Sequence, residues 1–134
     1  MASSLSPFAR LRYDIFGTAM KVQDALGTAH EEKVYHRALQ AALQQAGFRV
    51  RFTPRYLVRD TIGRVIATYY PDLEVSRDGI TVLVELKAEP QGLQPSHRRQ
   101  AKAYLSVARR ARAVLLINFA RRPLERDVIF RKDL

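Results

Sequence analysis

The sequence predicts an α/β fold, a mixed central β-sheet flanked by helices. Three observations predict it. Two stretches near the N-terminus repeat their apolar residues at helical spacing. Between residues 48 and 87, short alternating segments separated by turn residues read as hairpin-connected strands. Finally, Ala113-Val114-Leu115-Leu116-Ile117 is too short and too apolar for a surface helix. It reads as a strand buried on both faces, parallel to a neighbour that it reaches through the preceding helix.

The elements follow in order. Residues 1–12 are rich in Ser and Arg without an acid, and are expected to form a short flexible tail before a single domain over 13–134. Ile15, Ala19, Val22 and Leu26 place a helix over about 13–26, which Gly27-Thr28-Ala29 interrupts. Val34, Tyr35, Ala38, Leu39, Ala42 and Ala46 share one face of a second helix, and Gly47 stops it. From Phe48 to Phe52, apolar residues alternate with Arg49 and Arg51, as on a half-exposed strand. Tyr56–Arg59 and Arg64–Tyr70 flank the turn residues Asp60-Thr61-Ile62-Gly63. Ile80–Lys87 is a further strand, entered through the tight turn Ser76-Arg77-Asp78-Gly79. Asp72 is expected at the close of strand 64–70, so that this hairpin brings it to Glu85 and Lys87. Pro95 opens a helix to about Arg110, and Val128–Phe130 is the last strand.

Composition restricts the chemistry. The chain has no cysteine, which excludes disulfides and thiolate metal sites. It has no apolar run long enough to span a membrane and no secretory apolar region, so a cytoplasmic protein is expected. The net charge is +10, carried by 18 Arg and 5 Lys against 13 acids. From Ser96 to Leu134 there are eleven basic and three acidic residues. A surface of this kind suits nucleic acid, because guanidinium groups pair with phosphates bidentately.

Glu85 and Lys87 lie two apart on a strand and share a face, while Val82, Val84 and Leu86 share the other. With Asp72 beside them, two carboxylates and a lysine meet at one strand end. These are the parts needed to hold a hard divalent cation and align a water. On the second helix, a count of 100° per residue puts Glu31 nearer the apolar face than Glu32.

These residues resemble the PD-(D/E)XK nuclease superfamily: Pro71-Asp72 matches its PD, and Glu85-Leu86-Lys87 its (D/E)XK. Gln100-Ala101-Lys102-Ala103-Tyr104 is similar to the QxxxY element of one branch. Ala29-His30-Glu31-Glu32-Lys33-Val34-Tyr35 resembles the signature of the small GxxExxY proteins, with Ala29 where their first glycine stands. His97 and Leu116-Ile117-Asn118-Phe119 extend that likeness. The resemblance covers about residues 14–131 and implies a restriction-endonuclease-like core. It implies metal-dependent hydrolysis of phosphodiester bonds, in DNA before RNA. Asp72, Glu85, the Leu86 backbone carbonyl and Glu32 would hold Mg²⁺ or Mn²⁺; counting back three from Tyr35 selects Glu32 over Glu31. Lys87 would orient the attacking water, and Gln100 would position the substrate. His97, Arg98, Arg99, Lys102 and Tyr104 would contact nucleic acid, with Arg49 and Arg51 as a second basic stripe. Two alternatives stand beside this: a junction-resolving endonuclease acting as a homodimer, and a non-catalytic nucleic-acid-binding module.

Overall fold

The structure, a computed structural model, describes residues 4–134. Helix α1 runs Pro7–Leu26, α2 Glu32–Gln45 and α3 Pro95–Val107. The strands are β1 (Arg49–Phe52), β2 (Tyr56–Arg59), β3 (Val65–Tyr69), β4 (Leu73–Arg77), β5 (Ile80–Lys87), β6 (Ala111–Asn118) and β7 (Glu125–Phe130). Five of them form a sheet in the order β1-β4-β5-β6-β7, and β2-β3 is a separate hairpin. All neighbours are antiparallel except β5 and β6, which α3 connects as a parallel crossover. The mixed sheet flanked by helices agrees with the expectation.

Two boundaries do not. The tail expected over 1–12 is helical from Pro7 and buries Leu11 at the base of α1; residues 1–3 lie outside the described residues. The start was written in Ser6-Pro7. The Ser6 side chain accepts the Ala9 amide as an N-cap, and Pro7 takes the first turn, where its missing donor costs nothing. The second correction concerns Asp72. Arg64–Tyr70 does not lead into the main sheet. The hairpin partner of β5 is β4, and Asp72 immediately precedes it instead of closing the strand before. The turn expected over Ser76–Gly79 is tighter: Ser76 and Arg77 belong to β4, and Asp78 and Gly79 alone have the positive φ that the two central residues of a type I′ hairpin require.

Each face of the sheet has its own core. Val75, Val82, Val84, Leu86 and Leu115 pack with Leu11, Ile15 and Ala19 of α1 and with Tyr35, Leu39 and Leu43 of α2. Leu83, Val114 and Leu116 point the other way, against Ala101, Tyr104 and Leu105 of α3. Because side chains alternate, Glu85 and Lys87 follow Leu83 onto the α3 face.

Candidate active site

The antiparallel β4–β5 pairing sets Leu73 opposite Val84, so the residue before β4 meets the end of β5. There each carboxylate accepts a hydrogen bond from a backbone amide of the opposite segment. The Asp72 amide donates to Glu85 Oε1 at 2.6 Å, and the Leu86 amide donates to Asp72 Oδ2 at 2.8 Å. Glu85 Oε2 lies 3.9 Å from Lys87 Nζ, which donates to Gln100 Oε1 of α3 at 3.1 Å. Glu85 is only 3% exposed and the Lys87 side chain 14%, so neither is the solvated strand-end group that an isolated E-x-K string suggests.

Burial governs the charges here. It raises the Glu85 carboxyl to about 8, and the negative charge of Asp72 adds to the effect; the Asp72 amide and Lys87 oppose it. Asp72 is also raised, by burial first, with the Leu86 amide, His36 and Lys87 pulling the other way. Glu32 is half-buried, and its carboxyl is raised by burial and then by Asp72. Tyr104 is 7% exposed, and burial followed by the charges of Glu85 and Asp72 pushes its phenol up. It is therefore a neutral hydroxyl beside the carboxyl pair.

Six of the expected residues converge: Glu32, Asp72, Glu85, Lys87, Gln100 and Tyr104. Glu31 does not. It is the N-cap of α2 in extended backbone, its side chain is 76% exposed, and it pairs with Lys33. Leu86 buries its side chain in the opposite core, so only its backbone serves the site. Tyr104 belongs to the inner wall, its ring 5.5 Å from that of Tyr69, and is not a surface contact. His97 caps its own helix, its Nδ1 accepting the Gln94 amide at 2.9 Å. Burial, and then the charge of Lys87, lowers its pKa. Arg98 is bound to Asp127 of β7. Arg99 and Lys102 are exposed, and at 100° per residue they lie on the side of α3 away from Gln100 and Tyr104. Arg49 and Arg51 lie on the α3 face of the sheet, at the end remote from Lys87.

One site residue escaped the sequence reading. His36 Nε2 lies 2.8 Å from the Asp72 carbonyl, and since a carbonyl only accepts, that nitrogen carries the proton. The same carbonyl accepts the Thr53 amide at 2.8 Å. The His36 ring stacks on Phe52 with centroids 4.0 Å apart. The available signal was its spacing, one helical turn after Glu32 on the same face. His36→Ala is expected to lower stability by about 1–2 kcal/mol through the lost hydrogen bond and stack. An unchanged urea midpoint would contradict that role.

The donor chemistry fits a hard cation. A buried and a half-buried carboxyl face one ammonium, so ionising both would leave negative charge that a cation could compensate. Every donor within the pair is oxygen, and Glu32 adds a third carboxylate at the rim. Among the described residues no three His, Cys, Asp or Glu side chains form a closed metal-binding group. Mg²⁺ commonly takes one or two carboxylates and keeps waters for the remaining positions, so a closed cage is not required.

The model of the PD-(D/E)XK nuclease superfamily matches residues 9–131, and this chain belongs to that superfamily. The crystal structure of SSO0001 is similar in fold. It has a TM-score of 0.60 and 17% sequence identity, over 90% of this chain and 61% of that one. This chain thus spans about three fifths of that protein's length. No curated protein matches it. Among the described residues no helix is long and apolar enough to cross a membrane.

Proposed function

We propose that this chain is a cytoplasmic, metal-dependent nuclease that hydrolyses phosphodiester bonds in DNA in preference to RNA, in the manner of the GxxExxY proteins. The observation that carries the reading is the Asp72–Glu85 pair, cross-bonded through its backbone, with Lys87 3.9 Å from Glu85. The GxxExxY assignment is supported by Glu32 rather than Glu31 turning to the pair, and by Gln100 reaching Lys87.

In this reading Asp72 and Glu85 hold Mg²⁺ or Mn²⁺, with the Leu86 carbonyl and Glu32 as further oxygen donors. When bound, the ion polarises the phosphoryl oxygen and makes water more acidic. Lys87 places a fixed positive charge where negative charge grows on the phosphate, and aligns the attacking water. Gln100 holds the Lys87 ammonium in place, so its side chain acts on the reaction through Lys87. The Tyr104 hydroxyl stays protonated and walls off solvent below the pair. Arg99 and Lys102 add long-range attraction for phosphate.

The test incubates the protein with labelled single-stranded, duplex and four-way DNA and with RNA, in Mg²⁺, Mn²⁺ or EDTA. The expected result is cleavage of DNA that stops in EDTA. Binding without cleavage in every metal would favour the binding module. Exclusive cleavage of four-way DNA by a homodimer would favour the junction-resolving alternative.

A further inference from the structure

The α3 face of the sheet continues past the carboxylates. Arg51, Glu74 and Leu83 stand in one cross-strand row, and Arg49, Ser76 and Thr81 in the next. Directly paired residues share a face, so both rows lie on the side that carries Glu85. The turn that follows α3 lines the same groove and supplies Arg109 and Arg110. Between helix end and sheet lies a groove of about 1130 Å³. That exceeds the roughly 300–1,000 Å³ of a small-molecule pocket.

Its charge is largely unspent. Glu74 is occupied twice, by the Tyr56 hydroxyl and by Arg51 Nη1 at 3.3 Å. Arg77 turns to the other face, onto Asp14 at 2.8 Å, with Asp78 3.9 Å away. Arg49, Arg109 and Arg110 are exposed and have no acidic partner among the described residues. Three free guanidinium groups and a fourth shared one thus line a cavity whose acids are already engaged. The fork geometry of guanidinium groups suits such a surface to phosphate.

We propose that this groove is a second nucleic-acid subsite, binding the backbone of the substrate strand away from the scissile bond through Arg49, Arg51, Arg109 and Arg110. The inference rests on the nuclease reading for its link to cleavage, but not for its ligand chemistry. Thr81 precedes Glu85 by four residues. The groove therefore centres about 13 Å along β5 from the carboxylates, given roughly 3.3 Å per residue. At about 3.4 Å per stacked nucleotide, that is some four nucleotides. Substrates that extend at least that far should bind more tightly than shorter ones. The basic subsite is then this groove, with Arg98 tied to Asp127 on the far side of α3.

The experiment measures binding of labelled 4-, 8- and 16-nucleotide DNA in EDTA across a salt series, for three proteins. These are the wild type, Arg109→Ala/Arg110→Ala, and a control, Arg10→Ala/Arg122→Ala. The control removes the same charge from arginines paired with Asp14 and Asp24 outside the groove. For the groove variant the slope of log K against log salt on the 16-mer should fall by about 1.4, from about 0.7 per single-strand phosphate contact. At 0.1 M salt that corresponds to an affinity loss of about 25-fold. The control should keep the wild-type slope, and the groove variant's deficit should shrink on the 4-mer. An unchanged slope in the groove variant, or equal losses in both variants, would overturn the subsite. If wild type cleaves no substrate yet the groove variant alone loses its slope, the subsite stands and the nuclease reading fails.

Discussion

Replacing Lys87 with alanine is expected to reduce DNA cleavage by about 10²–10³-fold, the cost of removing one fixed charge-stabilising group from a reaction centre. Among the described residues Lys87 is the one cation paired with Glu85, and Gln100 fixes its ammonium. Nucleic-acid affinity in EDTA should change little, because the free arginines lie elsewhere on the surface. Lys87 is nevertheless well covered, so its loss reaches the neighbouring charges. Lys87 holds down the pKa of both Asp72 and Glu85, and without it both carboxyls should rise further. Lys87→Arg restores the charge and should recover part of the rate, because the larger planar guanidinium cannot occupy the same position. Cleavage at the wild-type rate by Lys87→Ala would mean that the E-x-K match is accidental.

The second large effect is on stability and its dependence on pH. Glu85 titrates near 8 in the fold against an ordinary value of 4.5, raised chiefly by burial. A carboxyl raised on folding is best accommodated while protonated. Its contribution is complete below about pH 4.5 and is lost as pH rises through about 8. Without divalent ions, wild-type protein should therefore lose stability between about pH 5 and pH 9 relative to Glu85→Gln. The amide keeps the acceptor oxygen for the Asp72 amide but has no charge to bury. Divalent ions act in the opposite direction. Mn²⁺ competes with the proton, so its stabilisation of wild type should grow with pH, reaching about 2.7 kcal/mol at a hundredfold excess over Kd. Glu85→Gln should lose most of that gain. Parallel melting curves for the two proteins at every pH, with and without Mn²⁺, would contradict the charge assignment.

Much of this arrangement was legible in the sequence, for identifiable reasons. The apolar run at 113–117 admitted only a doubly buried strand, and β6 is one, parallel to β5. The turn read over Ser76–Gly79 is there, narrowed to Asp78 and Gly79. The proximity of Asp72 to Glu85 followed from that turn even though the intervening strand was overlooked. β4 is only five residues long, lies between Pro71 and the turn, and alternates too briefly to stand out from a connecting segment. The choice between Glu31 and Glu32 could not be made by helical counting, because α2 begins at Glu32 and leaves Glu31 in extended backbone. The angular rule does not apply to a residue outside the helix. Tertiary pairings were invisible for a different reason. That Arg98 meets Asp127, or that His36 stacks on Phe52, depends on strand order and register that no local pattern encodes. The first two turns of the N-terminal helix fell outside the expected 13–26, although Ser6-Pro7 and Leu11 mark them.

The account stands most directly on whether Asp72 and Glu85 together hold the ion that cleavage needs. The decisive measurement is the cleavage rate of labelled duplex DNA in Mn²⁺ by wild type and by Asp72→Asn/Glu85→Gln, with folding of both checked by circular dichroism. The account predicts cleavage by the wild type, none detectable above the EDTA control by the folded double variant, and no recovery at higher Mn²⁺. Cleavage by the double variant at a rate comparable to wild type would contradict it.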